Sequence, residues 1–301
     1  MEKLVEIRFK DVAPEWAQSH LQVPTPIVLN NGNLRVFYAT RNNEGRSLTT
    51  YFDIIDDFKI LKYDEPILKL GDVGTFDRDG VMVSSIVRKD DSLHMYYTGW
   101  SRSSEVPYKT SIGLAISLDE GKTFVRHSRG PVIGEDVNNP LFTNTPFVTK
   151  FDGIFHCFFG SGLNWHSRRN IWEPQYQIKH ATSINGIDWI TNPNPILRTI
   201  INDESNVRPW LIEVKDGFNL YYCFRGTEDF RDGKDSYKIA SVFSKNLKNW
   251  SEPTIYEELD SFKSKKLTMC AYPSIVNWKE KNLLFYNGNT FGKLSIFVIE
   301  I

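Results

Sequence analysis

The chain has 301 residues, with 36 Lys plus Arg against 37 Asp plus Glu and a formal net charge of −1. At 41% hydrophobic and 24% charged residues it has the composition of an ordinary soluble globular protein. The balanced charge argues against a nucleic-acid binder, which usually carries a strongly basic face.

The N-terminal run MEKLVEIRFKDVAPEW mixes acidic with apolar residues, so KLVEIRF is predicted as a strand and not as part of a signal peptide. No stretch approaches the roughly 18–20 apolar residues of a membrane-spanning helix, and a cytoplasmic location is expected. A pattern then begins that returns four more times: an apolar strand opening at or near Pro, a polar turn, and an aromatic-rich strand. It reads TPIVLNNGNLRVFYATRN from Thr25, SSIVRKDDSLHMYYTGW from Ser84 and TPFVTKFDGIFHCFFGSG from Thr145. RPWLIEVKDGFNLYYCFRG from Arg208 and YPSIVNWKEKNLLFYNGN from Tyr272 complete it. With Pro26, Ser85, Pro146, Pro209 and Pro273 taken as equivalent, the spacings are 59, 61, 63 and 64 residues. The turns carry hairpin chemistry, as in Asn31-Gly32, Asp152-Gly153 and Asp216-Gly217. A second pattern follows the first, with SIGLAISLDEGKTF from Ser111, YQIKHATSINGIDW from Tyr176 and YKIASVFSKNLKNW from Tyr237.

About four strands per unit, repeated five times, predict an all-β chain forming one five-bladed β-propeller over residues 1–301 with four-stranded antiparallel blades. The chain ends on KLSIFVIEI and begins on KLVEIRF, so one terminal strand is expected to complete a blade begun at the other end and remove an exposed edge. Cys157, Cys223 and Cys270 are too scattered for a disulfide framework or a CxxC metal site. Cys157 and Cys223 lie in apolar runs and are expected to be buried, inert thiols.

In a propeller the first strand of each blade lines the central channel, and the starts of those strands gather at one mouth. These positions hold the carboxylates Asp77, Asp79 and Glu204 and the arginines Arg41, Arg78, Arg208 and Arg225. They also hold the carboxamides Asn42, Asn144, Asn206, Asn287 and Asn289 and the aromatics Trp100, Trp165 and Tyr272. Carboxylates and amides bond sugar hydroxyls, indoles cover a pyranose face, and arginines pair with phosphate or carboxylate. The expected ligand is therefore a sugar, sugar phosphate or nucleotide sugar. Asp79 and Glu204 are expected as the acid–base pair, each against a plainer reading as a turn aspartate or an exposed loop acid. Arg78, Trp100, Asn144, Trp165, Arg208, Arg225, Tyr272, Asn287 and Asn289 are expected to bind substrate. Trp189 and Trp250 are expected to pack. The six histidines show no metal-ligand spacing, and DEGK at Asp119 and DGKD at Asp232 read as turns, so no metal or cofactor is expected.

FDRDGVMVSSIV, LHMYYTGW, VPYKTSIGLAIS, YQIKHATSINGIDW, VRPW, MCAYPSIV and LFYNGN carry a resemblance to the five-bladed glycosidases of the arabinanase, invertase and levansucrase type. The chain more closely resembles glycosidase-related proteins associated with bacterial surface-polysaccharide synthesis. The resemblance implies a carbohydrate-active enzyme working on a glycosidic or sugar-phosphate bond. Those hydrolases place an Asp beside the first-blade Pro, an acid in the second blade, and a Glu before Gly-Pro in a later blade. Here Thr25, Ser84-Ser85 and Asn206-Val207-Arg208-Pro209 stand instead. That departure keeps open a glycosyl transferase acting on a nucleotide- or lipid-linked sugar, and a non-catalytic glycan binder.

Overall fold

Alternating apolar and polar residues between tight turns build antiparallel ladders along almost the whole chain. The structure, a computed structural model, describes residues 1–301 except Arg169 and Asp232, with the side chain of Asp57 also left aside. The turn expected at Asp232 lies outside the described residues. The fold is all-β, with helical segments as short as Phe9–Val12. Among the described residues no helix is long and apolar enough to cross a membrane.

The strands form sequential meanders, called arrays below. The first array holds Ser19–Val28, Leu34–Arg41, Ser47–Ile54 and Ile60–Lys62, and the second Gly80–Lys89, Ser92–Arg102, Tyr108–Ser117 and Val125–Arg126. One parallel pair, Ser47 with Gly80, joins them into a larger sheet. The third comprises Thr143–Phe151, Ile154–Arg168, Ile171–Ser183 and Ile190–Thr191, and the fourth Ser205–Val214, Gly217–Arg225, Lys238–Ser244 and Thr254–Ile255. The last holds Ala271–Trp278, Lys281–Asn287 and Ser295–Glu300, and its outer strand is Glu2–Arg8 from the other end of the chain.

The core lies between neighbouring arrays. Phe37 and Val83 share a cluster across arrays one and two, Tyr96 and Phe159 across two and three, Phe158 and Leu220 across three and four. Leu220 and Leu284 join arrays four and five, and Val36 with Val298 joins one to five. Each fully buried aromatic or branched side chain in these seams contributes about 1.5–3 kcal/mol of transfer free energy. Trp189 and Trp250 belong to the seams, edge-on to Tyr96 and Phe158 of the preceding arrays. All three cysteines are buried.

The inner strands share a local device. Gln22 pairs with Ala39 and Thr25 with Phe37, so two residues, Val23 and Pro24, oppose one in a β-bulge. The same slip occurs between Asn144 and Phe147, Val207 and Trp210, and Ala271 and Ser274. At each bulge the residue before proline has positive φ: Val23 at 52°, Thr145 at 42°, Arg208 and Tyr272 at 58°. The repeat register is thereby corrected. Pro24, and not Pro26, is equivalent to Pro146, Pro209 and Pro273, and Val23 replaces Thr25 as the counterpart of Arg208.

Backbone N–H groups at these bulges link one array to the one before it. Val23 donates to Asn287 Oδ1 (3.0 Å), Tyr272 to Cys223 Sγ (3.4 Å) and Arg208 to Thr145 Oγ1 (3.3 Å). Thr145 donates to Thr98 Oγ1 (2.8 Å), and Val83 to Thr49 Oγ1 (3.0 Å). The links run five to four to three to two to one, and from one back to five.

Candidate functional site

The bulges open onto a cavity of about 380 Å³. Three tiers of side chains line it, drawn from all the arrays. The inner-strand tier contributes Gln22, Val23, Ser84, Asn144, Thr145 and Tyr272. Ends of the second strands supply Arg41, Thr98 and Trp100. Starts of the third strands supply Ser47, Thr110, Tyr176 and Tyr237, with Tyr108 two residues before Thr110. Among the described residues no Asp or Glu lines it.

Both expected acid–base residues are engaged elsewhere. Asp79 sits at the joint of arrays one and two, where Oδ2 accepts from the Arg102 backbone N–H (2.9 Å). Its Oδ1 faces Arg102 Nη1 at 3.3 Å and Arg46 Nε at 3.6 Å. Asp77 is likewise buried and paired, with Arg126 Nε at 2.7 Å and the Tyr97 hydroxyl at 2.9 Å. Glu204 is fully buried, not exposed. Its carboxylate accepts from Ile200 N (2.6 Å), Ile201 N (3.3 Å) and Asn206 Nδ2 (2.9 Å). Burial raises its pKa above the ordinary 4.5, and those three donors oppose the rise in part.

The arginines behave differently, since Arg41, Arg208 and Arg225 have no carboxylate partner among the described residues. Arg208 is fully buried. Its guanidinium donates to Ser84 O, to Pro24 O (2.9 Å) and to Thr25 Oγ1 (2.9 Å), tying array four to arrays one and two. Burial pushes it down to about 9 from the usual 12.5. Arg225 donates to Tyr176 Oη (3.2 Å), Gly226 O (2.8 Å) and Pro174 O (2.7 Å), with its charge 3.8 Å from the Phe230 ring.

Other expected binders divide by position. Trp100, Asn144 and Tyr272 line the cavity. Trp165 stands behind it, packed on Phe142 and edge-on to Tyr108, each at 5.5 Å. Arg78 is half-buried in a turn, donating its backbone N–H to Thr75 O (3.3 Å). Asn287 is consumed by the array link, accepting from Val23 and donating to Leu21 O (2.8 Å) and Ser295 O (3.1 Å). Asn289 caps the backbone at Thr268 (2.9 Å) and Met269 (3.1 Å).

Sequence reasoning did not single out Tyr108, Tyr176 and Tyr237. Tyr176 and Tyr237 head the second repeated pattern, each two residues before an Ile, and Thr110 holds the same place before Ile112. That common head was the available signal. The hydroxyls of Tyr176 and Tyr237 bond each other, and burial raises the pKa of Tyr237, Tyr272 and Tyr108. Tyr108, Tyr237 and Tyr272 therefore stay neutral at physiological pH.

No protein-family model matches the chain. Solved glycoside hydrolases share its all-β, propeller-like fold. A glycosyl hydrolase from Bacteroides ovatus superposes with a TM-score of 0.68 at 17% identity, covering 94% of this chain and 85% of that one. Another solved glycoside hydrolase gives 0.71 at 12% identity, covering 97% of this chain and 93% of that one. The Bombyx mori GH32 beta-fructofuranosidase BmSUC1 gives 0.66 at 16% identity over 96% of this chain, which spans 63% of that enzyme. Within this fold, the chain belongs to the family of the uncharacterized protein Rv1502 of Mycobacterium tuberculosis strain H37Rv. The two are 30% identical over 284 residues, 93% of this chain and 91% of that protein. The uncharacterized protein MT1551 of strain CDC 1551 matches with the same identity and coverage.

Proposed function

We propose that the protein is a carbohydrate-active five-bladed β-propeller, closed by Glu2–Arg8, whose central cavity holds a sugar. The observation that carries this reading is the lining itself: aromatic faces, amides and hydroxyls converging from every array in about 380 Å³. That volume falls within the roughly 300–1,000 Å³ of small-molecule sites. Trp100 and Tyr272 are suited to cover an apolar sugar face, while Asn144 and Gln22 supply both donors and acceptors for hydroxyls. The links running from array to array and back, and the likeness to glycoside hydrolases, support the same scaffold.

Hydrolysis by two carboxylates requires both within about 5–9.5 Å of each other across the glycosidic bond. With Asp79 and Glu204 engaged by protein groups, the geometry favours binding or group transfer over that mechanism. Asp79 then clamps arrays one and two, and Glu204 orders the approach to the fourth inner strand. A role in surface-polysaccharide metabolism, with a nucleotide- or lipid-linked sugar, belongs to this reading.

Calorimetric titration with monosaccharides, sugar phosphates, uronic acids and nucleotide sugars tests it, alongside an assay for released reducing sugar. At least one sugar should bind, and Tyr272→Ala should weaken it by about tenfold or more. Failure of every sugar to bind, or an unchanged affinity in the variant, would overturn the assignment of the cavity.

A further inference from the structure

The row of residues that joins arrays one and two has a chemistry of its own. Arg41 pairs with Ser47, Ser47 with Gly80, Gly80 with Trp100, and Trp100 with Thr110. Register partners on adjacent strands present their side chains on one face of the sheet. Four of these five residues line the central cavity; the fifth, Gly80, has no side chain to contribute. A methyl group at Gly80 would stand 1.7 Å from Trp100 Nε1, so the indole lies directly over its backbone. Between Arg41 and the indole the row presents only the small side chain of Ser47.

Three polar atoms of this row are buried with no hydrogen-bond partner: Arg41 Nε, Trp100 Nε1 and Thr110 Oγ1. Leaving a buried N–H unpaired costs about 1–3 kcal/mol, more for a charged group, so such groups ordinarily have partners. Two of the three are donors only, and the third can donate. Among the described residues no carboxylate lines the cavity, and neither Arg208, beside the lining residue Ser84, nor Arg225, beside Tyr176, has an acidic partner. Positive charge without a counterion, facing an unsatisfied set of donors, describes an anion site.

We propose that the row Arg41–Ser47–Trp100–Thr110 is an anion subsite of the central cavity, taking the carboxylate or phosphate of an acidic sugar. The inference rests on the cavity being the sugar site and adds the substrate class. The anion would lie over Ser47, with the guanidinium on one side and the indole N–H, which covers Gly80, on the other. A planar guanidinium bonds two oxygens of either group at once.

The test compares glucose, glucuronate and glucose 1-phosphate on the wild-type protein and Arg41→Gln, with inorganic phosphate as a sugar-free probe. A charged sugar should bind at least about tenfold more tightly than glucose, and that ratio should collapse toward one in Arg41→Gln. The glucuronate and phosphate arms separate the two sources of negative charge. The indole proton resonance of Trp100, assigned with Trp100→Phe, should move with the bound anion. The Arg41 side chain has no hydrogen bond or ion pair among the described residues, so Arg41→Gln is expected to fold with a nearly unchanged melting temperature. Equal binding of neutral and charged sugars by both proteins would overturn the subsite while leaving the cavity a sugar site. Phosphate that moves the Trp100 resonance while no sugar binds would support the subsite and overturn the sugar reading. Phosphate and all sugars leaving that resonance in place would overturn both.

Discussion

Arg208 and Glu204 stand four residues apart, and each brings an ionisable group into a place without solvent. Arg208 offsets the cost of its burial with acceptors on two other arrays, which only a forked guanidinium reaches together. Arg208→Lys keeps a charge there and leaves some of those acceptors unpaired. It should lower stability by about 2–3 kcal/mol, read from the denaturant midpoint, and a loss under about 0.5 kcal/mol would contradict the cross-molecular tie. Glu204 has a folded pKa above 4.5 because burial disfavours its charge. Between the unfolded and folded values the folded state binds more protons, so stability falls as pH rises through that window. The contribution is complete below 4.5 and is lost as pH climbs through the raised value. Glu204→Gln removes this titration, so the difference in midpoint between variant and wild type should change between pH 4 and 7. A difference that stays constant with pH would mean the carboxyl titrates normally.

The hairpins and bulges show how far the sequence carries. Asn-Gly and Asp-Gly turns, aromatic second strands and the spacing of the prolines revealed the strand pairs, since each has a local cause. The first repeat was aligned two residues late because Val-Pro-Thr-Pro offers two prolines, and a left-handed pre-proline residue leaves no mark in residue type. The partners of the carboxylates were hidden for a related reason: Asp79 meets Arg46 and Arg102 only after the chain has folded back on both sides of it. The strand-end positions of Arg41, Trp100 and Tyr272 were legible because the repeat places them on one side, whereas the protein partners of Arg208 and Arg225 were not. One turn departs from its ideal. Lys279 and Glu280 have φ of 50° and 65° between Trp278 and Lys281, the geometry of a two-residue turn that prefers Asn-Gly. Lys279 reaches Asp56 at 2.8 Å, while Glu280 is exposed. Glu280→Gly should therefore raise stability by roughly 0.5–1 kcal/mol in thermal unfolding, and a destabilised variant would show that the turn is not held left-handed.

At the scale of the molecule the question is what holds the last array against the first. Each link from a bulge is a single hydrogen bond, worth about 0.5–1.5 kcal/mol net, so the seams and the terminal strand must supply the rest. Glu2–Arg8 pairs along Ser295–Glu300, and Ile7 enters the cluster with Val36, Leu283 and Val298 that joins the last array to the first. Deleting residues 1–8 would leave Ser295–Glu300 as an apolar edge with open N–H and C=O groups, a template for another chain. The shortened protein should melt at a lower temperature and associate as its concentration rises, measured by calorimetry and light scattering. A peptide spanning residues 1–12 added in trans should reverse both effects, because the groove it fills is already formed by the remaining strands. A shortened protein that stays monomeric at the wild-type melting temperature would mean that the first and last arrays are held together by their seam alone, with the terminal strand a passive cover. Recovery with the peptide would instead place the closure in that one strand, and with it the alignment of the first and last inner strands that bring Val23 and Tyr272 to opposite ends of the same circuit.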